Sequence, residues 1–173
     1  NKVYVNGKEV KLRGTCVMDV SYDLGRSMTR EQSYAEIEAY KKANINHIRT
    51  SHYPASEDLL DACDELGIYV EQETGCVFQG PGGCKQRIRG FPSSIYRDDR
   101  TGPEQASILI WSLGNESNYS KVASQSGGNA FQDERDYLKD VDTTRPTIFS
   151  FPDTGEPAGF VDIYSAHYAS VTG

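Results

Sequence analysis

Residues 108–117 read ILIWSLGNES, a run that is apolar at five of its first six positions and then turns to Gly, Asn, Glu and Ser. A short, nearly continuous apolar run bounded by glycine is the pattern of a strand buried on both faces, which belongs in a parallel sheet covered by helices. The residues that end it place an amide, a carboxylate and a hydroxyl beyond the strand's carboxyl end.

Reading toward the amino terminus, IYVEQ (68–72) is a second strand of the same kind, and the segment before it is helical. Ser56 caps that helix, Leu59, Leu60, Cys63 and Leu66 mark its buried face, and Gly67 stops it. NHIRT (46–50) predicts another strand. Ahead of it, Thr29 with Gln32 forms a capping box, and Tyr34, Ile37, Tyr40 and Ala43 recur along one helical face that ends near Asn44. Asn6-Gly7 predicts a hairpin turn leading into a strand at about 10–16.

Toward the carboxyl terminus a polar helix is expected at about 129–140, broken by Arg145-Pro146. TIFSF (147–151) and VDIYSAHY (161–168) then supply two more strands. The Gly- and Pro-rich stretch 79–106 reads as a long loop on the ligand-facing rim. Strands alternating with helices imply an α/β fold with a parallel sheet, either doubly wound and open or part of a closed (β/α)8 barrel. Both bind ligands beyond the carboxyl ends of their strands.

Polar residues gather at those ends: Arg13 and Asp19, then Arg49, Ser51 and His52, Glu71 and Glu73, Asn115 and Glu116, and finally His167 and Tyr168. The first strand is followed by neither GxGxxG nor a P-loop, which disfavours nucleotide chemistry. Arg49 also suits a plain ion pair between two strand ends, Glu71 and Glu73 suit a rim cap, and His167 reads equally well as structural or functional.

The bulk numbers narrow the partners. The chain has 173 residues, 37% apolar and 25% charged, enough for one domain with a core. Its net charge is -7 and its basic residues are scattered, so nucleic acid is not an expected partner. No run approaches the ~20 apolar residues of a membrane span, and the first residues lack a signal-peptide core. Whether the protein is cytoplasmic or exported stays open. Cys16 and Cys63 are expected as buried thiols, Cys76 and Cys84 would pair only in an exported protein, and none has zinc-site spacing.

Taken together, LRG (12–14), RTSHYP (49–54), DELGIYV (64–70), ILIWSLGNES and TRP (144–146) resemble glycoside hydrolase family 2, with the closest likeness to its β-galactosidases. The similarity runs in register over nearly the whole chain. It implies a (β/α)8 TIM barrel and retaining exo-β-glycosidase activity on terminal β-linked sugars, most like β-galactosidase, with β-glucuronidase or β-mannosidase specificity as alternatives.

Residue by residue, the resemblance implies Glu116 as general acid/base and Asn115 as the amide that bonds the sugar 2-hydroxyl. His52 and Asp19 would contact the sugar, Arg49 would support the carboxylates, and Tyr168 would steady the nucleophile. Trp111 is expected to wall the acid/base, giving partial desolvation. Where the family's β-galactosidases carry Asn-Arg-His-Asp, this chain has Cys16-Val17-Met18-Asp19, so a sugar-facing His is missing. Where magnesium-binding members place Glu and His, it has Val77 and Gln79, so no such metal and no cofactor is expected.

A full barrel takes ~250 residues, so residues 1–173 are expected to hold about the first six strands, the N-terminal two-thirds of a catalytic domain. The nucleophile Glu would lie on a seventh strand outside this chain, and the 173-residue piece alone would be inactive. The expected partners are a carbohydrate substrate, the remainder of the barrel and flanking β-sandwich domains, with a homo-oligomer left open. A catalytically silent carbohydrate-binding barrel is the competing reading.

Overall fold

The computed structural model describes residues 2–75, 105–117, 130–151 and 159–167. Tyr168, Cys76, Val77, Gln79 and Cys84, with most of the 79–106 loop, lie outside them. A hairpin of β1 (Val3–Val5) and β2 (Lys8–Val10) comes first. Its two-residue turn holds Asn6 at φ 49° and Gly7 at φ 76°, the left-handed pair that matches a hairpin's twist. The predicted strand at 10–16 is in fact divided, because β3 (Gly14–Val17) begins a separate sheet.

The remaining elements are α1 (Arg30–Lys42), β4 (His47–Thr50), α2 (Glu57–Leu66), β5 (Tyr69–Glu73), β6 (Ile108–Asn115), α3 (Ala130–Val141), β7 (Thr147–Phe151) and β8 (Ile163–Ala166). Strands β3 to β8 form one parallel sheet in strict chain order. A doubly wound sheet reverses its strand order at a switch point, and this one does not, so the fold is a partial (β/α)8 barrel of six strands.

Local chemistry sets the helix ends as the sequence predicts. The Thr29 hydroxyl accepts from the Gln32 amide while the Gln32 side chain accepts from the Thr29 amide, a complete capping box. Ser56 caps α2 through the Leu59 amide, and Gly67 closes it at φ 71°. Leu59, Leu60, Ala62 and Cys63 form the buried face of α2, each larger apolar side chain stabilising the fold by ~1.5–3 kcal/mol.

Strand alternation divides the side chains into two layers. Val17, Ile48, Val70, Trp111, Leu113, Phe149 and Phe151 join the apolar core with Ile37, Leu59, Phe131 and Leu138 from the helices. Arg49, Glu71, Glu73 and Ser112 alternate with those residues along their strands and turn to the opposite face, where they contact one another. Cys63 is buried as expected, but Cys16 is exposed: its neighbour Val17 takes the core-facing position, so Cys16 sits on the other face of an outer strand.

Candidate active site

Arg49 is the hub of the site. It stands in β4 directly paired in register with Glu71 of β5, and its Nε donates to Glu73 Oε2 at 2.7 Å and lies 3.3 Å from Glu71 Oε1. Its Nη2 contacts Glu73 Oε2 and donates to Asn115 Oδ1 at 2.8 Å, and its Nη1 lies 3.4 Å from His167 Nε2. One planar guanidinium thus links β4, β5, β6 and the end of β8, a multidirectional grip that a lysine's single ammonium would not reproduce.

Glu73 is fully buried and fully engaged. Besides Arg49 it accepts from the Ser112 hydroxyl at 3.1 Å, its Oε1 meets His52 Nδ1 at 2.7 Å, and its backbone amide donates to Thr50 Oγ1 at 2.9 Å. A carboxylate gripped by Arg49 and Ser112 at one oxygen and by His52 at the other is fixed in place. Glu73 is therefore an anchor for Arg49 and His52. Charge among buried apolar runs was visible in the sequence, but not that this Glu would be the centre of the network.

Glu116 follows β6 at φ 46°, with its amide donating to the Ser150 carbonyl at 2.9 Å. That left-handed residue, directly after a register irregularity between Ser112 and Asn115, bends the chain as the strand ends. The Glu116 carboxylate meets His167 Nδ1 at 2.7 Å, and both side chains are partly open to solvent. A carboxyl at a strand end, partly desolvated and held by a neighbour, has the setting that acid/base chemistry needs.

Beneath this group, burial pushes Glu71 up to about 7; Arg49 opposes the shift and Glu73 adds to it. Burial likewise pulls His47 down to about 4. The two side chains stand 4.0 Å apart, too far for a hydrogen bond, and both are driven toward their neutral forms, so this is not an ion pair.

The structure brings Arg49, His52, Glu73, Asn115, Glu116 and His167 together, as strand-end residues of one rim, and adds Ser112. It does not bring in Trp111, whose ring lies wholly in the helix-facing core and whose Nε1 donates to Asp142 Oδ2 at 3.0 Å. The reason is parity: Ser112 faces Glu73, so its neighbour Trp111 faces the helices. Asp19 is buried, with Oδ2 accepting from the Ser56 amide at 2.9 Å and Oδ1 buried without a hydrogen-bond partner among the described residues. Arg13 belongs to the opposite rim, where its amide donates to Asn46 Oδ1 at 2.7 Å ahead of β4. Among the described residues, no three His, Cys, Asp or Glu side chains are grouped to hold a metal ion, and no helix is long and apolar enough to cross a membrane.

Residues 1–99 and 93–172 match the family model described as Glycosyl hydrolases family 2, TIM barrel domain. The chain is 33% identical over 166 residues to a β-galactosidase of Bifidobacterium adolescentis, covering 84% of this chain and 14% of that protein. It is 35% identical over 158 residues to a β-galactosidase of Priestia megaterium, covering 82% of this chain and again 14% of the relative. The crystal structure of a Parabacteroides merdae β-glucuronidase superposes with a TM-score of 0.76 at 29% identity, over 94% of this chain and 20% of that one. The chain therefore spans only about a seventh of the length of these curated relatives.

Proposed function

Because the chain belongs to glycosyl hydrolase family 2, we propose that the protein carrying it is a retaining exo-β-glycosidase, most like a β-galactosidase, with Glu116 as its general acid/base. The observation that carries this reading is the strand-end network in which Arg49 joins Asn115 and Glu73 while His167 holds Glu116. Family membership gives the reaction class, and the network gives residues able to perform one half of it.

In the first step a nucleophilic carboxylate attacks the anomeric carbon as Glu116 passes its proton to the departing glycosidic oxygen, so the C–O bond breaks without releasing an alkoxide. In the second, Glu116 as carboxylate takes a proton from water, whose oxygen displaces the enzyme ester and restores both carboxyl groups. Asn115, held by Arg49 through its carbonyl oxygen, has its amide N–H groups left to donate to a sugar hydroxyl. His52, with Nδ1 committed to Glu73, offers Nε2 to a second hydroxyl.

Glu73 is too thoroughly bonded to be the nucleophile, which is assigned to a carboxylate outside these 173 residues, ~5 Å from Glu116 as retention requires. Tyr168 is assigned to steadying that nucleophile, and Asp19 to the sugar ring. The whole protein would draw on the rest of the barrel and on flanking domains.

The test is hydrolysis of aryl β-D-galactoside, β-D-glucuronide and β-D-mannoside by the full-length protein and its Glu116→Gln variant. Cleavage of one sugar, lost in the variant, supports the assignment and names the substrate. A protein that binds these sugars and cleaves none of them is a carbohydrate-binding barrel instead.

A further inference from the structure

Arg49 carries one positive charge but faces two carboxylates on the same strand, Glu73 and Glu71. If both were ionised, the barrel interior would hold a net negative charge with little water to screen it. The two are not equally equipped. Glu73 has Arg49, Ser112 and His52 as partners, whereas Glu71 has the long 3.3 Å contact to Arg49 Nε and, at 4.0 Å, the ring of His47. The anion belongs on Glu73, and the proton on Glu71.

The surroundings fit a neutral carboxyl. His47 Nε2 is buried without a hydrogen-bond partner among the described residues, 4.0 Å from Glu71 Oε2, so an unsatisfied neutral acceptor, not a cation, stands beside a Glu71 O–H. Space for that ring comes from Gly14 on the adjacent strand: a Cβ there would stand 2.5 Å from His47 Nδ1 and 3.0 Å from its carbonyl oxygen. Among the described residues, the charged and titratable groups facing Glu71 are Arg49 and His47 from β4 and Glu73 from its own strand, while its partner in β6 is the uncharged Ile110.

We infer that Glu71 is a positioning residue for Arg49: protonated, it leaves the guanidinium to Glu73 and Asn115, and on losing its proton to solvent it draws Arg49 Nε toward itself and loosens that grip. This rests on the reading of Arg49 and Asn115 as site residues. The direction of the Glu71 shift agrees with it, since burial moves the proton's release to about pH 7. Alkaline loss of activity is then set partly by a group that never touches the substrate.

Two measurements on the full-length protein test it. The first is the pH profile of kcat/KM on para-nitrophenyl β-D-galactoside for wild type, Glu71→Gln and His47→Ala. The wild type should lose about tenfold across a limb near pH 7, the effect of one charge-assisted hydrogen bond. Glu71→Gln, permanently neutral, should lack that limb, and His47→Ala should move it to lower pH. A limb unchanged in both variants overturns the inference.

The second is independent of catalysis: the infrared difference spectrum of wild type minus Glu71→Gln, followed from pH 5 to 9. A protonated carboxyl band that disappears near pH 7 is expected, and its absence at pH 5 overturns the proposal. Should no glycoside be cleaved while the band titrates, the hydrolase reading fails and the buried proton site stands.

Discussion

His167 Nδ1 lies 2.7 Å from Glu116 Oε1 while Nε2 of the same ring faces Arg49 Nη1 at 3.4 Å. A guanidinium only donates, so Nε2 must accept, and a neutral imidazole then carries its hydrogen on Nδ1 and donates it to Glu116. Arg49 therefore selects the tautomer with which His167 orients Glu116. Replacing His167 with Phe should lower kcat about 10- to 100-fold, the value of one hydrogen bond to a charged group, with KM changed far less. Steady-state kinetics on an aryl glycoside check this split.

Arg49→Met would leave the fully buried Glu73 without its cation. Breaking a buried pair from one side costs ~3–5 kcal/mol, so denaturant unfolding of the full-length protein should show a loss of that size. Arg49→Lys should recover part of the stability but not the activity, because an ammonium does not reach Glu73, Asn115 and His167 together.

Asp142 gives a stability prediction with a definite pH dependence. Burial pushes its carboxyl up, but hydrogen bonds from Thr144, Arg145 and Trp111 outweigh that and hold it well below the usual carboxylate range. A folded-state value below the unfolded one gives stability that is present above the unfolded value near 4 and lost as pH falls through the folded one. Asp142→Asn should cost about 1–3 kcal/mol at neutral pH. Thermal melts should show the gap between variant and wild type closing on acidification.

Thr29→Ala tests the capping box far from the site. It should cost about 1 kcal/mol and leave KM and kcat as they were. A change in kinetics would mean that α1 communicates with the rim, which nothing in its contacts requires.

The helix starts, the stop at Gly67 and the strand positions were legible because caps and apolar runs are local chemistry. Which way each side chain points was less so. Within ILIWSL both faces are buried, so the pattern alone leaves parity open; fixing it takes the contact of Ser112 with Glu73, which then turns Trp111 away from the rim. The same parity exposes Cys16 beside buried Val17. That Glu116, Asn115, Arg49 and His52 lie at one set of strand ends was legible from the motifs that hold them. Glu73 and His167 were placed at the strand ends, but their partners were not legible, since those depend on β4, β6 and β8 arriving side by side. Arg13 sits on the opposite rim because a residue before a strand belongs to its amino end.

The central claim, that Glu116 gives its proton to the leaving group, is tested most directly by how the Glu116→Gln defect depends on that group. On methyl β-D-galactoside, whose alkoxide needs the proton, kcat/KM of the full-length enzyme should fall ~10²–10⁴-fold. With dinitrophenyl β-D-galactoside, whose phenolate leaves unaided, the loss should be much smaller. Equal losses on both substrates would contradict the assignment and leave Glu116 a structural carboxylate.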